Sequence, residues 1–151
     1  MLFHKITSTS LGIGYIGKGA GTAAAIATCI VWYLFGVSGI QSFIPALLIT
    51  LFIIGLGIWS GNIVESEWGK DHNRVVIDEV AGMCITLLWV PVTPLNVLLA
   101  LVLFRLFDIF KPLYIRRLEK LPGGWGVMFD DILAGIYANL VLQLFLRFNL
   151  I

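Results

Sequence analysis

The chain has 151 residues, of which 59% are hydrophobic and 13% are charged, and its mean hydropathy is +0.96. Soluble domains are about 45–50% apolar, so this composition indicates an integral membrane protein. A formal net charge of +1 gives no electrostatic case for binding nucleic acid. The length and the lack of a polar linker predict a single domain that covers residues 1–151.

The apolar stretches, taken in chain order, predict five helices that cross a membrane. Each stretch is nearly free of charge and close to the minimum length of a span. The third is short for a crossing, and four crossings with one re-entrant segment are the alternative. The predicted fold class is therefore all-α, a polytopic membrane helical bundle of about five transmembrane helices. The predicted crossings are residues 20–35, 43–59, about 75–90, 94–110 and about 130–148.

The charged residues fall almost entirely on one side of these predicted crossings. Segments 61–79 and 111–131 connect helices on that side, whereas the two turns on the other side carry no charge. Lysine and arginine are enriched in cytoplasmic loops of membrane proteins, so the charged side is predicted to face the cytoplasm. Within the second segment, Gly123, Gly124 and Gly126 predict a turn.

Five carboxylates are predicted to lie at one depth, near the cytoplasmic ends of the helices. Asp78 and Glu79 fall in the first turn of the third helix, and Asp130 and Asp131 at the start of the fifth. Asp108 lies near the end of the fourth. Helix capping can explain either pair taken alone, because acids stabilise helix N-termini. Five carboxylates at one level repel one another unless cations lie among them, which indicates a site.

Two basic residues accompany Asp108 on one face of its helix. Arg105, Asp108 and Lys111 are spaced three residues apart, which aligns them as a charged stripe on an apolar helix end. This stripe either reaches from a helix end to the interface or belongs to the site. Mg²⁺ prefers carboxylate and phosphate oxygens, so the second interpretation predicts Mg²⁺ and a phosphorylated lipid headgroup.

Three motifs, in their order and spacing, resemble those of the phosphatidylglycerophosphatase A family. They are DEVAG at residues 78–82, FRLFDIFKP at 104–112 and GGWGVMFDDILAG at 123–135. Asp71 also matches an aspartate that the family carries before its acidic pair. The resemblance covers about residues 17–135. In the N-terminal loop of the family, only Gly21 and Thr22 are retained.

The resemblance implies a bacterial lipid phosphatase that is embedded in the inner (cytoplasmic) membrane and requires Mg²⁺. Such an enzyme converts phosphatidylglycerophosphate to phosphatidylglycerol and phosphate in phospholipid biosynthesis, and its substrate stays in the bilayer. The implied catalytic residues are Asp78, Glu79, Asp108, Asp130 and Asp131. The implied metal ligands are Asp78, Glu79, Asp130 and Asp131. The implied substrate-binding residues are Arg105, Lys111 and Thr22.

Two other classes of membrane protein share some of these features. A cation-coupled transporter also uses carboxylates within the membrane, but it places them near the middle of the span, whereas these lie at the ends of the charge-free stretches. A CDP-alcohol phosphotransferase would carry Asp-Gly-x-x-Ala-Arg followed by spaced aspartates, and the sequence lacks this signature. Glu119 lies outside all three motifs, so replacing it is expected to have little effect.

Overall fold

A computed structural model describes residues 1–35, 40–70 and 72–151, apart from the side chains of residues 40–42. Asp71, which matches an aspartate of the family that the sequence resembles, lies outside the described residues, as does the turn at residues 36–39. The described residues form seven α-helices and one short 3-10 helix at Ile13–Ile16, and they contain no strand. The α-helices are α1 Leu2–Ser8, α2 Ala20–Leu34, α3 Ile40–Trp68, α4 Ile77–Leu87, α5 Pro94–Phe110, α6 Ile115–Leu118 and α7 Gly123–Arg147.

The all-α prediction is confirmed, and α2 and α5 have the expected bounds to within one residue. Two other bounds were wrong. α3 continues to Trp68 through residues that the sequence analysis assigned to a polar connection. α7 begins at Gly123, so the three glycines predicted as a turn belong to its first turns. They are needed for packing, because a Cβ on Gly124 would overlap the backbone of Ile58 in α3.

Two of the described helices are long and apolar enough to cross a membrane by length and composition. They are Phe43–Trp68 within α3 and Gly123–Arg147, which is α7. By contrast, α4 has 11 residues and rises only about 17 Å, against a hydrocarbon core of about 30 Å. The five-crossing arrangement is therefore not confirmed, and the fold is a helical bundle with two candidate spans.

The centre of the bundle is the contact between α4 and α7, and α7 also packs against α3, α5 and α6. A Cβ on Gly135 would overlap the carbonyl oxygen of Gly82. A Cβ on Gly82 would in turn overlap the ring of Phe104 and the carbonyl oxygen of Asp131. Small residues therefore let the two helices approach backbone to backbone.

The C-terminal end of α4 is tied to α7 by a side-chain amide. Asn139 Nδ2 donates to the carbonyl oxygens of Ile85, Thr86 and Leu88 at 3.2, 2.9 and 2.8 Å. The last carbonyls of a helix have no partner within that helix, and leaving them unpaired in apolar surroundings is costly. Asn139 therefore holds α4 against α7, which positions the acidic residues at the opposite end of α4.

Candidate active site

Three of the predicted site residues come together where α4 and α7 meet. Asp78 and Glu79 lie in the first turn of α4, and Asp131 lies about two turns inside α7. One carboxylate oxygen from each residue lies within 4.8 Å of the other two. The site is deep, since Asp78 is 8% exposed and Asp131 3%. We call Asp78, Glu79 and Asp131 the acidic triad.

Helix capping does not explain the second acidic pair. Because α7 begins at Gly123, its first turn contains no acidic residue, and Asp130 and Asp131 lie seven and eight residues further along. Both side chains are buried instead. Burial of an ionised carboxylate is costly unless it is paired or binds a cation, so these two residues require a different explanation.

Each member of the acidic triad has a buried oxygen with no hydrogen-bond partner among the described residues. These atoms are Asp78 Oδ1, Glu79 Oε2 and Asp131 Oδ2. One carboxylate oxygen of each residue lies within 4.8 Å of the other two, close to the spacing of about 4.2 Å between ligands on opposite sides of an octahedral Mg²⁺. The donor set, entirely carboxylate oxygens, therefore fits a hard divalent cation.

Arg105 and Asp108 border the acidic triad from α5. Arg105 Nη1 donates to Asp108 Oδ2 at 2.5 Å, so these two residues of the charged stripe are paired with each other. Asp108 also approaches Glu79 and Asp131 closely enough to interact with both. The Nε of Arg105 is buried without an acceptor among the described residues. The guanidinium therefore has a donor available for an anionic ligand beside the triad.

Lys111 joins the end of α5 to α7. Its Nζ donates to Asp130 Oδ2 at 2.6 Å and to Glu119 Oε1 at 2.5 Å. Burial disfavours the ammonium, but the two carboxylates outweigh that effect and hold the pKa of Lys111 above its usual value. Asp130 is therefore directed toward Lys111 and is not part of the acidic triad, so its role as a metal ligand stays a prediction.

Glu119 lies outside the three motifs but contacts Lys111, a predicted substrate-binding residue. It lies eight residues after Lys111, and its carboxylate pairs with the Lys111 ammonium. The short helix α6 and the turns on either side of it bring the chain back toward α7 between these residues. No helical or strand periodicity relates positions separated by such a connection, so the sequence contained no signal for this contact.

The first turn of α2 reaches the acidic triad. A Cβ on Gly21 would overlap the carboxylate of Glu79, so a side chain at this position would displace that carboxylate from its present place. Thr22, the predicted substrate-binding residue, follows directly and is half-buried. Its role stays a prediction. The sequence analysis missed the importance of Gly21, although the retention of Gly21-Thr22 in an otherwise altered loop was the available signal.

Buried carboxylates beside an arginine and a lysine, at one end of an apolar helical bundle, are typical of enzymes that act on phosphate groups. Comparison with known proteins agrees with this class. Residues 6–146 match the family described as Phosphatidylglycerophosphatase A. The chain belongs to the phosphatidylglycerophosphatase A family and is a phosphatase.

Three relatives illustrate the range of names within this similarity. A putative phosphatidylinositol-3-phosphatase of Bacteroides thetaiotaomicron is 40% identical over 144 residues, which is 91% of this chain and 89% of the relative. A phosphatidylglycerophosphatase A of Haemophilus influenzae is 36% identical over 90% of this chain and 84% of its own. The phosphatidylglycerophosphatase A of Escherichia coli is 36% identical over 77% of this chain and 67% of its own. No solved structure matches the chain.

Proposed function

We propose that this protein is a Mg²⁺-dependent lipid phosphatase that converts phosphatidylglycerophosphate to phosphatidylglycerol and phosphate in phospholipid biosynthesis. The observation that carries the proposal is the acidic triad, with three unpartnered oxygens beside a guanidinium that has a spare donor. Two of the relatives are named for this activity. The cation-coupled transporter, which was the alternative from the sequence, receives no support from the comparisons.

In the proposed site, Asp78, Glu79 and Asp131 would hold the Mg²⁺. When bound, the cation supplies positive charge to the phosphate oxygens. Arg105, through its free Nε, would bind another phosphate oxygen and stabilise the charge that develops as the ester bond breaks. These contacts explain why a strongly acidic site can admit an anionic substrate.

Asp108 would take part in the bond-breaking step. Two routes are open: its carboxylate accepts a proton from the attacking water, or it forms a bond to phosphorus that water later hydrolyses. In both routes the bond between phosphorus and the glycerol oxygen breaks, and that oxygen takes up a proton from water to become the hydroxyl group of phosphatidylglycerol. Arg105 would orient Asp108, because the two side chains form an ion pair.

The headgroup preference is tested with two phosphorylated lipids. The relative from Bacteroides is named for phosphatidylinositol 3-phosphate, so this lipid is the competing substrate. We expect the purified protein in detergent micelles to hydrolyse phosphatidylglycerophosphate with a kcat/KM at least about tenfold higher than that for phosphatidylinositol 3-phosphate. One or two polar headgroup contacts can supply such a ratio. The opposite preference would make phosphatidylinositol 3-phosphate the substrate. Absence of phosphate release from both lipids would contradict the phosphatase proposal.

Lys111→Ala is expected to lower kcat/KM for lipid hydrolysis by about ten- to hundredfold, the scale of losing one or two charge-assisted hydrogen bonds. The substitution leaves Asp130 and Glu119 without their shared ammonium. Glu119→Gln is the matched comparison, because it removes one partner and keeps the lysine. We expect its effect to be smaller than that of Lys111→Ala, as measured by phosphate release. Equal activity of Lys111→Ala and wild type would remove Lys111 from the site.

We also propose that the chain is a multi-pass protein of the bacterial inner membrane, with its site facing the cytoplasm. The one-sided distribution of lysine and arginine supports this orientation. A cysteine at Lys120 is expected to resist an impermeant maleimide in intact cells and react after lysis, whereas one at Asn149, beyond the other end of α7, should react in intact cells. Cys29 and Cys84 are both buried and would be replaced first. Labelling of both positions from the same side would contradict the orientation.

A further inference from the structure

An open apolar groove runs along the bundle between α2 and α3. Its volume is about 880 Å³. Residues of α2 and α3 line its two sides and residues of α4 contribute between them, while α1 contributes at one end. Among the described residues, α2 and α3 each pack against α4 but make little contact with one another. The separation of α2 from α3 therefore leaves a channel that nothing in the described chain fills.

The groove approaches the acidic triad along α2. Ile77 and Val80 of α4 line the groove on the side between α2 and α3. On α2, the lining begins at Ala24, one turn after the Gly21 backbone that lies against the Glu79 carboxylate. A molecule with a polar end at the triad would therefore have its remaining part at the mouth of the groove.

The dimensions and chemistry of the groove fit one hydrocarbon chain. The lining extends from Ala24 to Phe35 on α2 and from Pro45 to Leu56 on α3, about 17 Å in each case. One leaflet of a bilayer contributes about 15 Å of hydrocarbon. No lining residue is charged, and the hydroxyl of the lining residue Thr28 donates to the Ala24 carbonyl oxygen at 2.9 Å.

We propose that this groove binds an acyl chain of the substrate lipid while the phosphorylated headgroup occupies the acidic triad. The inference rests on the proposed function. The substrate is the favoured occupant because a headgroup held at the triad delivers its own chain to the groove at high effective concentration. Val31 and Ile49 line the groove and are 55% and 57% exposed, and an acyl chain would cover them.

The first test fills the groove and measures the preference for long acyl chains. Ala27→Phe and Ile49→Trp place bulk in the groove, whereas Ile30→Phe and Leu48→Trp place similar bulk on the same two helices at exposed positions that do not line it. The ratio of kcat/KM for dioleoyl to dihexanoyl phosphatidylglycerophosphate is expected to fall about tenfold in the groove variants, the scale of a few lost methylene contacts. It is expected to stay constant in the two comparison variants.

The second test does not depend on turnover. Phosphatidylglycerophosphate with a diazirine near the end of one acyl chain is expected to crosslink to the lining segments of α2 and α3, and unlabelled substrate should compete. An unchanged chain-length ratio in both groove variants, or crosslinks confined to other surfaces or to a second copy of the chain, would overturn the proposal. If no lipid is hydrolysed, the proposed function fails, and the position of the crosslink alone decides whether an acyl chain binds the groove.

Discussion

Removal of divalent cations is expected to abolish phosphate release by the purified protein, and added Mg²⁺ is expected to restore it. Asp78, Glu79 and Asp131 each have a buried carboxylate oxygen without a hydrogen-bond partner among the described residues, and their carboxylates lie close together. Without a cation, their negative charge repels a phosphate group, and few water molecules are available to screen it. Phosphate release from phosphatidylglycerophosphate in micelles, measured with EDTA and then across a Mg²⁺ titration, tests this directly.

Two comparisons make the metal experiment specific. Ca²⁺ is larger and prefers longer bonds and more ligands, so it is expected to restore much less activity than Mg²⁺. Mg²⁺ should also raise the midpoint of thermal unfolding of the wild-type protein, because a ligand that binds only the folded state stabilises it. Full activity in excess chelator, or an unfolding midpoint that does not respond to Mg²⁺, would contradict a metal at the acidic triad.

Asp131→Asn is expected to lower turnover by at least about a hundredfold while the protein remains folded. The substitution keeps the shape of the side chain and removes one negative charge, and the loss of one electrostatic group in an active site has effects of this size. Asp131 is 3% exposed and contributes one of the unpartnered oxygens of the triad. Initial rates of phosphate release and a thermal unfolding curve, recorded on the same preparation, separate loss of activity from loss of fold.

Glu67→Gln is a suitable control for Asp131→Asn. Glu67 also carries a carboxylate, but it pairs with Lys5 near the end of α3, and its side chain is 41% exposed. Exposed ion pairs contribute little to stability, so this variant is expected to resemble the wild type in rate and unfolding midpoint. A well-folded Asp131→Asn protein with near-normal turnover would show that the acidic triad is not where the chemistry occurs.

The fold could be predicted from the sequence where local signals agreed with one another. The bounds of α5 follow from Pro94 at its first position and Pro112 just after its end. The glycines at the start of α7 could not be interpreted in the same way. Glycine favours turns, but it also permits close helix packing, and only the position of the α3 backbone next to Gly124 distinguishes the two.

In the candidate site too, some features could be predicted from the sequence and others could not. Asp78 and Glu79 are adjacent in the sequence, and the Arg105–Asp108 pair has helical spacing, so their local arrangement could be predicted. The different surroundings of Asp130 and Asp131 could not. Successive residues on a helix point about 100° apart, so one neighbour faces the triad and the other faces Lys111. Which residue faces which partner depends on how α7 is rotated against α4, and sequence spacing does not determine that rotation.

The backbone contact between Gly82 and Gly135 also governs how much the acidic triad can change its dimensions. Asp78 lies four residues before Gly82, and Asp131 lies four residues before Gly135, so each carboxylate is only about 6 Å along its helix axis from the contact. If α4 and α7 tilt relative to each other about that contact, the carboxylates move only a short distance, because they lie close to it. The backbone contact at these two glycines therefore limits how far the carboxylates of Asp78 and Asp131 can move apart or together.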